Sequence, residues 1–138
     1  MKKYDNFRNC LNILKNADFE FANNNEIYRT GIIGQFNLTF ELSWKALKEV
    51  LSLHGAEGSE TGSPREILQL GYKCGFVDDS SVWLAMLKKR NTSVHIYGEE
   101  EIDEMLLLIR DSFIPAFAVL AETLNNKLDA VEGIEDEI

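Results

Sequence analysis

Apolar residues along this chain recur at the three-and-four spacing of amphipathic helices. Phe7, Cys10, Leu11, Leu14, Ala17 and Phe21 share one face of a first segment, which the Asn23-Asn24-Asn25 run should end. The second segment, GIIGQFNLTFELSWKALKEVLSLHG, repeats the pattern through Ile33, Phe36, Phe40, Trp44, Leu47 and Leu51. Gly55 is its C-terminal stop and His54 its capping histidine, so this stretch predicts the longest helix. AEGSETGSPRE is a loop rich in Gly and Ser. Ser63-Pro64-Arg65-Glu66 then opens a shorter helix, to about Gly75, as a capping box with proline at the first helical position. Asp78 or Asp79 caps SSVWLAMLKKRN, whose apolar stripe of Trp83, Met86 and Leu87 is continued by Arg90. Glu99, Glu100 and Glu101 load the positive end of a last helix. Its core face is Ile102, Met105, Leu106, Ile109, Phe113, Phe117, Leu120 and Leu124, with a kink expected at Pro115.

Strand-like alternation and repeats of solenoid length are both missing, so the pattern predicts an all-α fold. The architecture expected is an up-and-down antiparallel helical bundle, four-helix-bundle-like, of about five helices. A chain of 138 residues suits one domain, assigned to residues 1–125, and the acidic tail 126–138 reads as a frayed or solvated end. Cys10 and Cys74 form no C-x-x-C pair and are accompanied by only two histidines. Neither a disulfide framework nor a metal site is indicated, and both thiols are expected to be buried. No apolar stretch approaches the ~20 residues needed to span a bilayer, and a cytoplasmic location without membrane attachment is expected. The formal charge of -9 argues against general nucleic-acid binding. Much of that excess sits in the tail, while Lys88, Lys89 and Arg90 form a local basic run suited to a short RNA, a nucleotide or an acidic partner.

That run leads into RNTSVHIYGEEE, where the candidate chemistry lies. Gly-rich phosphate loops, H-E-x-x-H and Gly-x-Ser-x-Gly are all missing. Arg90 stands where a monomer core would take an apolar residue. Its guanidinium wants a carboxylate, a phosphate or a subunit interface; the plainer reading is an arginine at a helix end, paired with Glu99 or Glu100. His95 follows five residues later, roughly 140° round an unbroken helix, so the two cooperate only if the chain bends or a second subunit contributes. An imidazole with a pKa near ~6.5 suits proton transfer, and with an arginine it could cleave RNA without metal. The plainer reading is a hydrogen-bonded interface histidine. Asn91 either caps a helix end or holds a ligand. Tyr97 is either a packing residue or an exposed phenol that accepts a transferred nucleotide.

The arrangement Arg90-x-x-x-x-His95-x-Tyr97, with Asn91 after the arginine, resembles the signature of HEPN domains. GQFNLTFELSWKALKEVL, SPREILQLGYKCGFV and WLAMLKKRNTSVHIYGEE look like the branch called nucleotidyltransferase substrate-binding proteins, with similarity from about Phe7 to Leu124. The resemblance implies a helical bundle that forms a homodimer, with the Arg-His motifs of two subunits at a shared cleft. The partner implied is a minimal nucleotidyltransferase, in a toxin-antitoxin pair where the HEPN subunit is a metal-independent endoribonuclease. Carried over, Arg90 and His95 are catalytic, Asn91 is supportive, and Tyr97 is the site at which the partner adds AMP. No cofactor is implied. Gly98 departs from the acidic residue expected after that tyrosine. The alternative is a non-catalytic subunit that presents a nucleotide or other substrate to the transferase. In either case the apolar faces of the Trp83 helix and of Phe113 to Leu124 are expected to form the subunit interface.

Overall fold

A computed structural model of the chain describes residues 2–90 and 98–137, with side chains to residue 131. The described residues are helical, with no strand among them. The helices are α1 (Lys2–Lys15), α2 (Phe19–Ala22), α3 (Glu26–Leu53), α4 (Pro64–Lys73), α5 (Ser80–Arg90), α6 (Glu99–Leu108) and α7 (Ile114–Glu137), with a π-helical turn, Ile109–Phe113, joining the last two. The all-α expectation holds, but two of the five expected segments are subdivided.

The first division falls at Asp18. Its carboxylate accepts the Phe21 N–H and starts α2, while its own N–H donates to the Tyr28 hydroxyl at 2.7 Å. Asn25 then caps α3 by accepting the Tyr28 N–H at 2.9 Å, so α3 begins at Glu26, earlier than the apolar pattern suggests. Phe21 therefore leaves the core. It is half exposed and meets the Tyr28 ring edge-on at 5.0 Å.

The second division falls at Pro115. Proline lacks the N–H that would close the bond to residue 111 and its ring crowds that carbonyl. The chain widens just before it: the Ile114 N–H bonds to the Ile109 carbonyl, five residues back. The expected kink is thus a π turn placed one residue ahead of the proline.

Elsewhere local chemistry acts as the sequence predicts. Ser63 and Glu66 form both halves of the capping box, with Pro64 at the first position of α4. Gly55 and Gly75 adopt φ of 73° and 80°, where a Cβ is strained, and end α3 and α4 in the same way. The following N–H groups, of Ala56 and Phe76, bond back to Leu51 and Gly71 carbonyls, and the glycines' own to Ser52 and Tyr72. His54 does occupy the C-cap of α3, but its ring reaches away from its own helix. Nε2 donates to the Lys127 carbonyl of α7 at 3.1 Å, and the ring meets Phe76 edge-on.

The central helix is α3, which packs on α1, α4, α5, α6 and α7. Arg29 meets Asp103, Phe36 stacks on Phe113 at 5.1 Å, and His54 meets Lys127, so α3 runs parallel to the α6–α7 rod. The end of α1 lies beside the start of α3, which makes that pair antiparallel. Phe7, Phe36, Phe40, Trp83, Phe113 and Phe117 join all these layers in one aromatic core. Burial of each such ring favours folding by about 1.5–3 kcal/mol.

Two expectations are corrected here. The large side chains expected at a subunit interface, Trp83, Phe113, Phe117, Leu120 and Leu124, are buried within the single chain, where α3 packs on these helices. Cys10 is only half buried, and Cys74 is exposed because it caps the outer end of α4. Past Leu124, α7 continues to Glu137, with Leu128 in the core.

Candidate functional site at the end of α5

Arg90 is the last residue of α5, placed by the burial of Trp83, Met86 and Leu87 against α3. The side chain turns onto α3, where Nη2 donates to Glu41 Oε2 at 2.7 Å. Among the described residues the carboxylate seen on Arg90 is Glu41, where the plainer reading has Glu99 or Glu100. The other oxygen of Glu41, Oε1, lies 3.5 Å from the Lys45 ammonium one turn on, so one carboxylate bridges two cations. Both members of the Arg90–Glu41 pair are about a third exposed (32% and 29%), which leaves the pair within reach of solvent and ligand.

The ionisation of Glu41 reflects these neighbours. Burial works to raise its pKa, but the adjacent Trp44 indole, the charge and hydrogen bond of Arg90, and Lys45 outweigh it. The carboxyl thus titrates below its ordinary value. The buried Trp44 N–H has no hydrogen bond of full geometry and acts on Glu41 through proximity. Lys88 and Lys89 share the last turn of α5 with Arg90, so this helix end is rich in basic residues on an otherwise acidic protein.

Asn91, His95 and Tyr97 lie outside the described residues. Gly98, directly after them, is the N-cap of α6 with an ordinary φ of -78°, so the position does not require glycine for its backbone. Glu99, Glu100 and Glu101 occupy the first turn of α6, as expected. Sequence reasoning missed Glu41 and Lys45. Their signal was present: an i, i+4 acid–base pair on the face of α3 opposite Phe36 and Phe40. What it lacked was any indication that α5 ends against that face.

A separate cleft of about 360 Å³ lies between α2, the start of α3 and α6, and contains Arg29 and Arg110. There the arginines are matched by carboxylates, Arg29 by Asp103 and Arg110 by Asp111, and the cleft lacks a positive excess. Arg90, with Lys88 and Lys89 on the same helix turn, is the better candidate for an anion.

The family described as "Nucleotidyltransferase substrate binding protein like" matches residues 2–126, almost the whole chain. The chain belongs to this family. Among curated proteins, "Probable ribonuclease HepT" of Haemophilus influenzae is 28% identical over 99 residues, which is 70% of this chain and 67% of that protein. The resemblance drawn from Arg90, His95 and Tyr97 and their surroundings thus points to the family that the whole-chain comparison finds. Membership implies a nucleotidyltransferase partner. Among the described residues no helix is long and apolar enough to cross a membrane.

Proposed function

We propose that this chain is the HEPN-type subunit of a two-component module with a minimal nucleotidyltransferase, and that it is a metal-independent endoribonuclease of the cytoplasm. The observation that carries the reading is the Arg90 guanidinium, held on Glu41 at a solvent-accessible helix end that also bears Lys88 and Lys89, five residues before His95 in sequence. In this scheme His95 takes the proton of an attacking ribose 2'-hydroxyl or returns one to the leaving oxygen. Arg90 offsets the charge that grows on the phosphoryl oxygens, and Asn91 supports the ligand. The partner silences the subunit by moving an adenylyl group from ATP to the Tyr97 hydroxyl, with pyrophosphate leaving.

The functional unit is a homodimer. Support comes from a second stripe on α3, Ile27, Gly31, Gly34 and Leu38, at the four-three-four spacing of a helix–helix seam. Ile27 is 87% exposed and Leu38 48%, and the space over both glycines is open. Glu41 and Lys45 continue the same face, so pairing two α3 helices brings two Arg90 sites toward each other.

The second reading, a non-catalytic subunit that holds a nucleotide or other substrate for the transferase, is favoured by the family description and by the net charge of -9. One experiment separates them. Purified chain and a His95→Ala variant are incubated with single-stranded RNA in chelator, and the intact mass of chain co-expressed with its transferase is measured. Cleavage lost in the variant, with an added AMP lost in Tyr97→Phe, is expected. An unmodified chain that leaves RNA intact would replace the ribonuclease reading with the binding-subunit one.

A further inference from the structure

Arg90 can stabilise a phosphoryl group only if its guanidinium is held in one place, and an arginine at a helix end has four rotatable bonds to lose. The structure assigns that task to Glu41: we propose that it is a positioning residue, which acts on the reaction only through Arg90 and rests on the ribonuclease reading. The carboxylate sits on α3, the helix that every other long helix packs against, so it is the most rigid anchor within reach. By taking Nη2 with Oε2 it tethers the guanidinium to α3. Its second oxygen is drawn by Lys45, which stops the carboxylate turning to offer both oxygens to Arg90. Arg90 thereby keeps its position on α3. Trp44, half-buried beside Glu41, walls the carboxylate on the same helix and keeps it ionised.

The test is a double-mutant cycle on RNA cleavage by the full-length protein, with Glu41→Ala, Glu41→Gln, Arg90→Lys and Glu41→Ala/Arg90→Lys. Glu41→Ala is expected to lower kcat by roughly 10–100-fold, the scale of a mispositioned catalytic group, with a smaller change in KM. Glu41→Gln, which keeps an oxygen acceptor, recovers part of the loss. In the Arg90→Lys background the same alanine costs far less, because the geometry it protects is already gone. Urea denaturation of each variant accompanies the kinetics. Losses that multiply across the cycle, or follow unfolding, would assign Glu41 a structural role and overturn the proposal. So would a Glu41→Ala protein with unchanged kcat beside an inactive His95→Ala control, while leaving the ribonuclease reading intact. If the unaltered chain cleaves no RNA, that reading fails and the proposal fails with it.

Discussion

The same substitution, glycine to alanine, should have opposite effects at two helical positions of this chain. Alanine in place of a mid-helix glycine gains about 1 kcal/mol of helix propensity. At Gly71 in α4 the new Cβ would stand 2.9 Å from Leu47 Cδ2 and 3.1 Å from Val77 Cγ2. Leu47 is fully buried, so any shift of its side chain must be taken up by the packed core around it. Overpacking of this kind costs about 1–3 kcal/mol, so the expected net result is a loss of about 1 kcal/mol, a fall in Tm of roughly 3–5 °C for a chain of this size. At Gly34 in α3 the added Cβ meets nothing within 4 Å. The isolated chain should therefore gain about 1 kcal/mol. In the proposed homodimer, however, Gly34 faces the second α3, where an added methyl on each copy should weaken association at least tenfold. Urea denaturation at low protein concentration measures the first effect, and sedimentation equilibrium the second. A Gly71→Ala protein as stable as the parent would refute the close-packing argument. A Gly34→Ala protein stabilised at every concentration with unchanged association would remove the α3 stripe as the dimer seam.

Three further outcomes follow from other contacts. A stability cycle on Glu41→Gln and Arg90→Gln should give a coupling of about 0.5–1 kcal/mol at pH 7, small because both groups are a third exposed. Since the folded carboxyl titrates below its unfolded value, that coupling should be complete above the unfolded pKa of about 4.3 and fade as pH falls through the folded one; a coupling that grows in acid would contradict the assignment. Ser63→Ala removes the acceptor of the Glu66 N–H and should cost about 1 kcal/mol by chemical denaturation, whereas Ser81→Ala, at an exposed site, should cost less. Phe36→Ala empties the contact with Phe113, Phe117 and Phe40 and should cost about 3–5 kcal/mol; a loss below 1 kcal/mol would show that the aromatic core is not where stability resides.

Much of this fold is written in local chemistry. Helix periodicity names the core residues of α3, α5 and α7 because the burial of one face imposes a 3.6-residue repeat wherever a helix packs. Capping signals place the ends of α3 and α4 because serine, proline and glycine act on their immediate neighbours. The proline likewise announces a break near residue 115, where the π turn lies, whereas the break at Asp18 was hidden because the Tyr28 hydroxyl that holds it lies ten residues on.

The sequence by itself determined the helices, the family and the basic motif that begins at Arg90, all of which depend on residues close together in the chain. Tertiary structure alone decided which apolar faces remain for a partner and which carboxylate meets Arg90. Trp83 and Phe113 disappear into the monomer because α3 covers them, leaving Ile27 and Leu38 outside. Glu41 reaches Arg90 across 49 residues. Periodicity reports that a face is apolar or charged, but the partner of that face is set by how the helices cross, and crossing is a property of the packed bundle.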